Sequence, residues 1–220
     1  MFDSLQPMSP RSSQITFPDR AAQDRRGLDH IAGKPLVTFR SGQKIYVAGD
    51  ETGPVYRVAY GLVRIYRILS DGRRQIYAFH LPGDVFGLET EAEHQFFADA
   101  ITKTGLQVLR PGAGDDLQQF LAIALKLLNQ AQNHLLALGR QDAVGRVRAF
   151  LVEMAERQQS SGDGVLMLPM TRTDIGDYLG LTLETVSRVL SKLKKTGVVR
   201  QVSPHRLDIL RWDILRADYD

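Results

Sequence analysis

Hydrogen-bonding side chains recur on one face of a helix near the end of the chain, in the segment LTLETVSRVLSKLKKTG (181–197). Four of them have the spacing i, i+3, i+4 and i+7, and therefore share one helical face: Glu184, Ser187, Arg188 and Ser191. Arginine can donate two hydrogen bonds to guanine, glutamate can accept one from the cytosine amino group, and serine can pair with a base or a phosphate. The spacing therefore predicts a face that meets DNA base edges. The alternative is an exposed ion pair between Glu184 and Arg188, one turn apart.

The charge behind this face has one sign. Between Thr185 and Arg206 the sequence holds six lysines and arginines and no Asp or Glu. Such cations can bind phosphates whatever the base sequence, although a solvated basic surface is the plainer alternative. The predicted phosphate contacts are Thr171, Thr173, Thr182, Ser191, Lys192, Lys195 and Arg200.

Signals on both sides of this segment predict a winged helix-turn-helix. Thr171 and Asp174 have the spacing of a capping box at the start of a first helix. Gly180 can supply the positive φ of a tight turn, and Thr182 can cap the second helix. The segment VVRQVSPHRLDIL (198–210) then has the pattern of a β-hairpin, which would form the wing. In this layout the early residues of the second helix meet base edges. The predicted buried stripe of that helix is Leu183, Val186, Val189, Leu190 and Leu193.

The first half of the chain has a different pattern. Residues 1–30 are polar and proline-containing, which predicts a loose N-terminal arm, with a short helix at Arg20–Ile31 as a possible exception. Short Val-, Ile-, Tyr- and Phe-rich runs separated by glycines follow, and they predict an antiparallel β-roll over residues 31–112. Asp71-Gly72 predicts a hairpin with a type I′ turn. The fold class is therefore α+β.

A heptad pattern predicts a long helix over residues 113–139 that pairs with a second copy of the chain. The alternative is a helix buried entirely within its own domain, where a second stripe of Phe120, Ile123 and Leu127 could pack. Residues 140–220 would then form the DNA-binding domain. The predicted dimer seam is Leu117, Leu121, Ala124, Leu128, Ala131, Leu135 and Leu138.

Composition excludes several classes of protein. The 220 residues are 43% hydrophobic with a net charge of +3, as in an ordinary globular protein of one or two domains. There is no cysteine, so disulfides, thiolate metal sites and cysteine nucleophiles are excluded. We expect a cytoplasmic protein, because no signal-peptide core or apolar run of ~18 residues is present. The common catalytic and nucleotide-binding motifs are absent, and the five histidines show no ligand spacing, so we expect no enzyme activity, metal or cofactor.

The segments PMTRTDIGDYLGLTLETVSRVLSKLKKTGVV (169–199) and YGLVRIYRILSDGRRQIYAFHLPGDVFG (60–87) resemble the CRP/FNR family of bacterial transcription regulators. The resemblance covers about residues 35–215. It implies a cyclic-nucleotide-binding-like β-roll, a dimerisation helix and a C-terminal winged helix-turn-helix. It also implies double-stranded DNA, a second copy of the chain and RNA polymerase as partners.

Within the family, Glu184-x-x-Ser187-Arg188 resembles the FNR and FixK branch, because the CRP branch has Arg and Gly at the positions of Leu183 and Ser187. This implies a two-fold site of the form TTGA-N6-TCAA, with Glu184, Ser187 and Arg188 as base readers. The hairpin residues Asp71, Gly72 and Arg73 occupy the loop through which FNR relatives contact polymerase, although a plain β-turn is the favoured alternative.

Two departures narrow the expected function. FNR proteins sense oxygen with a cysteine-held cluster, and this chain has no cysteine. Phe96, Phe97 and Ala98 stand where CRP proteins carry the Arg-Ser pair that binds cyclic AMP, so we expect no cyclic AMP binding. The remaining resemblance is FixK-like, which implies control of microaerobic respiration or nitrogen-oxide genes. The alternative is a family member gated by haem, nitric oxide or a cyclic nucleotide.

Overall fold

The computed structural model describes residues 30–31, 34–109, 116–140, 142–158 and 164–217. The expected N-terminal arm therefore lies outside the described residues except for His30. The suggested helix is wrong at its end, because His30–Ile31 forms a strand (β1) that pairs with Lys34–Pro35 (β2).

Eight further strands form a β-roll of two four-stranded antiparallel sheets. One sheet has the order β3-β10-β5-β8 and the other β4-β9-β6-β7. Their interior side chains pack into one apolar core that includes Val58, Ile65 and Leu106. The strands are β3 (Val37–Phe39), β4 (Lys44–Tyr46), β5 (Val55–Tyr60), β6 (Val63–Ile68), β7 (Arg74–His80), β8 (Val85–Phe86), β9 (Phe97–Ala100) and β10 (Thr104–Leu109).

The β6–β7 hairpin is present, but its turn differs from the prediction. The Gly72 N–H donates to the Leu69 carbonyl at 2.9 Å, and the Leu69 N–H donates to the Arg73 carbonyl at 2.8 Å. The loop thus has three residues, with Gly72 at φ 82° after the turn, instead of two in a type I′ turn. Asp-Gly satisfies both geometries, because each requires a positive φ at the glycine.

Helix α1 (Asp116–Gly139) follows the roll and has two different faces. Its inner face is partly buried at Ile123 and Leu127 and buried at His134 and Ala137. Lys126 anchors it to the roll through an ion pair with Asp84 at 2.9 Å. Its outer face is apolar and exposed, with five leucines that are 53–71% exposed: Leu121, Leu125, Leu128, Leu135 and Leu136.

The C-terminal part combines helices with a three-stranded sheet of order β11-β13-β12. Its first helix is α2, in which Val147, Phe150, Leu151 and Met154 are buried. The elements are α2 (Ala143–Arg157), β11 (Val165–Met167), α3 (Arg172–Leu179), α4 (Leu183–Lys195), β12 (Val199–Ser203), β13 (Arg206–Ile209) and α5 (Trp212–Arg216).

The two parts of the molecule share apolar packing. Phe79 of β7 lies 6.3 Å from the ring of Phe150 and 5.1 Å from that of Tyr178, measured between centroids. The same buried cluster contains Tyr66 and Ile76 of the hairpin. The β6–β7 hairpin is therefore a structural support for α2 and α3 as well as part of the roll.

His134 lies where α1 meets α3. Its ring stacks on Tyr178 at 3.9 Å, and its Nδ1 is buried with no hydrogen-bond partner among the described residues. Burial lowers the pKa of His134 from the ordinary 6.5 to about 4. The imidazole is therefore neutral at pH 7, and it must be protonated inside the protein when the folded chain is acidified.

This burial makes folding pH-dependent. The unfolded chain binds the His134 proton near pH 6.5, whereas the folded chain binds it only near pH 4. The free energy of unfolding therefore decreases as the pH is lowered from 6.5 to about 4. We expect His134→Phe, which keeps an aromatic ring on Tyr178, to remove about 1.4 kcal/mol per pH unit from this loss. Urea denaturation at pH 7, 6, 5 and 4.5 measures it, and equal slopes for both proteins would contradict the role of His134.

Candidate nucleic-acid interface

Helix α3 begins with the predicted capping box. The Thr171 hydroxyl accepts from the Asp174 N–H at 3.0 Å, and the Asp174 carboxylate accepts from the Thr171 N–H at 3.0 Å. The Thr171 hydroxyl also donates to Asp174 at 2.8 Å. These bonds satisfy backbone donors at the start of the helix and fix where it begins.

Asp174 also joins α3 to the roll. Its carboxylate accepts from Arg64 at 2.8 Å and from Arg74 at 2.6 Å, and Arg74 also reaches Asp177 at 2.7 Å. The Asp174 side chain is only 2% exposed. Burial pushes its pKa upward, but hydrogen bonds from Thr171 and the charges of Arg64 and Arg74 outweigh burial and hold the pKa of Asp174 below its usual range. The sequence indicated the cap and gave no signal of the two arginines.

Two glycines shape the turn between α3 and α4. Gly180 has φ 63° and ends α3 in the left-handed region, as its position predicted. A Cβ on Gly176 would lie 2.6 Å from the Leu181 carbonyl, so only glycine lets the turn pack this closely on α3. Gly176 was not predicted, because its requirement comes from a neighbouring backbone and not from its own φ.

Helix α4 begins at the predicted cap, where the Thr182 hydroxyl accepts from the Thr185 N–H at 3.2 Å. Val186, Val189, Leu190 and Leu193 are buried as expected. Leu183 was predicted to be buried, and this is wrong, because its side chain is 44% exposed. It is the first residue of the helix, beyond the reach of the packed stripe, and it lies beside Glu184 on the outer surface.

The face of α4 that was predicted to meet base edges carries Glu184, Ser187, Arg188 and Ser191, and is called the reading face below. Glu184 and Arg188 are exposed on it. The alternative interpretation was an ion pair between these two residues. No such ion pair forms in the described structure, so both charged groups can contact other partners. Hydrogen bonds from its own backbone N–H and the Thr182 hydroxyl, with the Arg188 charge nearby, lower the pKa of Glu184. Glu184 is therefore a charged acceptor at pH 7.

Ser187 is half-buried between α3 and α4. Arg172, the first residue of α3, donates a hydrogen bond from its guanidinium to the Ser187 hydroxyl at 3.3 Å. Arg172 was not predicted, because the contact joins residues on two helices. Its place beside the capping Thr171, at the start of the first helix of the helix-turn-helix, was the available signal.

The predicted phosphate contacts have different surroundings. Thr173, Ser191, Lys192 and Lys195 are exposed. The hydroxyls of Thr171 and Thr182 already serve as helix caps. Arg200 on the wing is paired with Asp208 at 2.7 Å, which neutralises part of its charge. The exposed lysines are therefore better placed for phosphates than Arg200.

Side chains of residues 86–100, the segment compared above with the cyclic AMP site of CRP proteins, contact one another and two tyrosines of the roll. Glu89 accepts from the Gln95 N–H and lies 2.6 Å from His94 Nδ1, and the His94 ring stacks on Tyr46 at 3.7 Å. Phe97 stacks on Tyr66, and Ala98 is fully buried. The hairpin tip is exposed, with an Arg73–Asp71 ion pair at 2.7 Å.

No group of three or more His, Asp or Glu side chains in the described ranges is arranged to hold a metal ion. None of the helices there has the length and hydropathy that a membrane span requires.

Two family models match the chain. A Crp-like helix-turn-helix domain matches residues 145–218, and a cyclic nucleotide-binding domain matches residues 36–123. The first contains the whole reading face, and the second contains the roll and the beginning of α1.

Several characterised proteins are similar over most of their length. The nitrogen fixation regulation protein FixK of Rhizobium meliloti (strain 1021) is 46% identical over 197 residues, which cover 86% of this chain and 92% of that protein. The FixK protein of Bradyrhizobium diazoefficiens is 39% identical over 81% of this chain and 78% of that protein. The solved structure of FixK2 from Bradyrhizobium japonicum superimposes with a TM-score of 0.76 at 42% identity, over 83% of this chain and 95% of that chain.

The buried carboxylate of Asp174 should be a large contributor to stability. We expect Asp174→Asn to lower the free energy of unfolding by about 3 kcal/mol, because it removes the buried negative charge that Arg64 and Arg74 share. Asp177→Asn, at a side chain 24% exposed, should cost less than about 1 kcal/mol. Urea denaturation measures the free energy of unfolding of both variants. Equal losses would contradict the larger contribution of Asp174.

Proposed function

The chain belongs to the CRP/FNR family of transcription regulators and is a DNA-binding regulator of the FixK type, and we propose that it binds a TTGA-N6-TCAA palindrome as a homodimer. Each copy would place α4 in the major groove of one half-site. Glu184, Ser187 and Arg188 would contact bases, and Lys192 and Lys195 would contact phosphates together with Thr173 and Ser191.

This proposal is supported mainly by two exposed charged side chains on the reading face, Glu184 and Arg188. Glu184 is a charged acceptor and Arg188 is an exposed donor, and the two form no ion pair with each other in the described structure. An unpaired acid beside DNA is unfavourable against phosphates, but it becomes useful when it accepts from a cytosine amino group. Leu183 is exposed next to it and offers an apolar contact for a thymine methyl group.

The dimer is proposed from the outer face of α1. Leu121, Leu128 and Leu135 of the predicted seam are more than half exposed in the single chain, and Ala124 and Ala131 are exposed between them. A contiguous stripe of exposed leucine is rare on a monomer and typical of an interface. Leu138 is half-buried against its own domain, Leu117's side chain lies outside the described residues, and Leu125 and Leu136 widen the exposed stripe.

We propose that the chain acts without cyclic AMP. Residues 86–100, which correspond to the cyclic AMP site of CRP proteins by resemblance, contain no arginine. The Glu89 carboxylate is already paired with His94 and with the Gln95 N–H. Regulation would then lie in how much protein the cell makes, with genes of microaerobic or anaerobic respiration or nitrogen-oxide metabolism as targets. The exposed tip Asp71-Gly72-Arg73 is a candidate contact for RNA polymerase in an activator.

A second candidate is gating by a ligand. A cavity of about 590 Å³ lies between the roll and α1, with mostly aromatic and aliphatic walls that include Tyr77, Phe86 and Phe96. His80 and His134 also line it, and each has a buried Nδ1 without a partner among the described residues. A haem absorption band in the purified protein, or calorimetric heat on adding cyclic AMP or haem, would favour gating over the ligand-free proposal.

Base and phosphate contacts should respond differently to substitution. We expect Arg188→Ala to cost about 1–3 kcal/mol on the palindrome and to relax its sequence preference. Lys192→Ala should weaken binding to every duplex and reduce the slope of log K against log salt by about one. Fluorescence anisotropy on palindromic and random duplexes measures both. Equal losses on both duplexes for both variants would show that the roles are wrongly assigned.

The outer face of α1 should determine assembly. Leu128→Lys places a charge in the proposed seam, and we expect it to convert the dimer to a monomer, because a buried unpaired charge costs several kcal/mol. Asn133→Lys adds the same charge to an exposed position off the seam and should leave the dimer intact. Sedimentation velocity distinguishes the two, and a Leu128→Lys protein that sediments as a dimer would contradict the seam.

A further inference from the structure

We propose that Arg172 biases Ser187 toward donating its hydroxyl proton to DNA, so that this position favours a base with an acceptor over cytosine. The inference rests on the proposed function and adds a positioning residue to it. A hydrogen bond links α3 to the reading face of α4, from the Arg172 guanidinium to the Ser187 hydroxyl at 3.3 Å.

The polarity of that hydrogen bond is fixed by its donor. A guanidinium has five N–H groups and no acceptor, and it stays charged at any physiological pH. The Ser187 oxygen must therefore accept from Arg172. A hydroxyl has a single proton, so the Ser187 O–H is left to donate in another direction.

The helix does not take up this proton. Serine and threonine within helices often donate back to the carbonyl four residues earlier. Thr196 does so at the end of α4, where its hydroxyl donates to the Lys192 carbonyl at 3.0 Å. Ser187 makes no such bond to Leu183 in the described structure. Its proton therefore remains available at the surface that carries Glu184 and Arg188.

A donor at this position discriminates among bases. Thymine O4, guanine O6 and N7 and adenine N7 all accept in the major groove, whereas cytosine presents its amino donor. A serine with a rotating hydroxyl could meet either kind of group. With Arg172 donating to one of its two lone pairs and the guanidinium charge beside it, the Ser187 oxygen is a poorer acceptor for the cytosine N4 amino group, so cytosine at this base should be disfavoured.

Arg172 could instead bind a phosphate directly, as a cation at the start of α3. The two roles make different predictions. A phosphate contact would strengthen binding to every duplex alike, whereas a positioning role would act only at the base that Ser187 meets, and only when Ser187 is present. A double-mutant cycle separates them, because it isolates the coupling between the two side chains.

The experiment uses the full-length protein and four variants: Arg172→Met, which keeps most of the aliphatic stem without donors, Ser187→Ala, the double variant, and Lys192→Ala as a phosphate-contact control. Each is titrated against the palindrome, a random duplex and a set of palindromes with one symmetric base-pair change. Thermal unfolding checks that the folds are equally stable, and Arg172→Gln replaces Arg172→Met if the latter unfolds early.

We expect Ser187→Ala to lose roughly 3- to 10-fold discrimination against cytosine at one base pair. Arg172→Met should lose it at the same base pair, the double variant should lose no more than either single variant, and Lys192→Ala should keep it. Additive losses, or an Arg172→Met protein weakened equally on all duplexes, would overturn the inference alone. A wild-type protein that binds palindrome and random duplex equally would overturn the proposed function as well.

Discussion

The arrangement of the molecule depends on the buried carboxylate of Asp174. It completes the cap of α3 through Thr171 and accepts hydrogen bonds from Arg64 and Arg74 of the roll. A buried charge is tolerated only when it is paired and hydrogen-bonded, and here the helix cap and the two arginines supply those partners. The start of α3 and the docking of the DNA-binding part on the β6–β7 hairpin are thereby set by the same two oxygen atoms. The orientation of α4 follows, because a close-packed glycine turn joins it to α3.

Ion pairs within the chain account for the positive charge that remains on the surface of α4. The acids of α3, Asp174 and Asp177, face arginines of the roll, and Asp208 of the wing is paired with Arg200 and Arg206. The lysines of α4 remain on the outer surface. A net charge of +3 therefore understates how basic the reading face is. The acid that stays exposed there, Glu184, is the one whose position suits a base contact.

Features encoded over a few consecutive residues could be predicted from the sequence, and features made by distant residues could not. Both threonine caps, the Gly180 turn, the wing hairpin and the exposed leucines of α1 follow local patterns, and the structure contains all of them. The motif PMTRTDIGDYLGLTLETVSRVL identified the family. The sequence did not predict the exposure of Leu183, the requirement for Gly176, the three-residue turn at Gly72 or the Arg172–Ser187 hydrogen bond. Each depends on where a helix face ends or on a neighbour from another element.

We propose that the chain itself reads a palindrome without a small-molecule signal. The most direct measurement is the affinity of purified, ligand-free protein for a TTGA-N6-TCAA duplex and for a scrambled duplex of equal length, both at about 0.15 M salt. We expect the protein to bind the palindrome at least about 10³-fold more tightly than the scrambled duplex, as specific regulators do in general. Equal affinity for the two duplexes, or discrimination that appears only after cyclic AMP or haem is added, would contradict it.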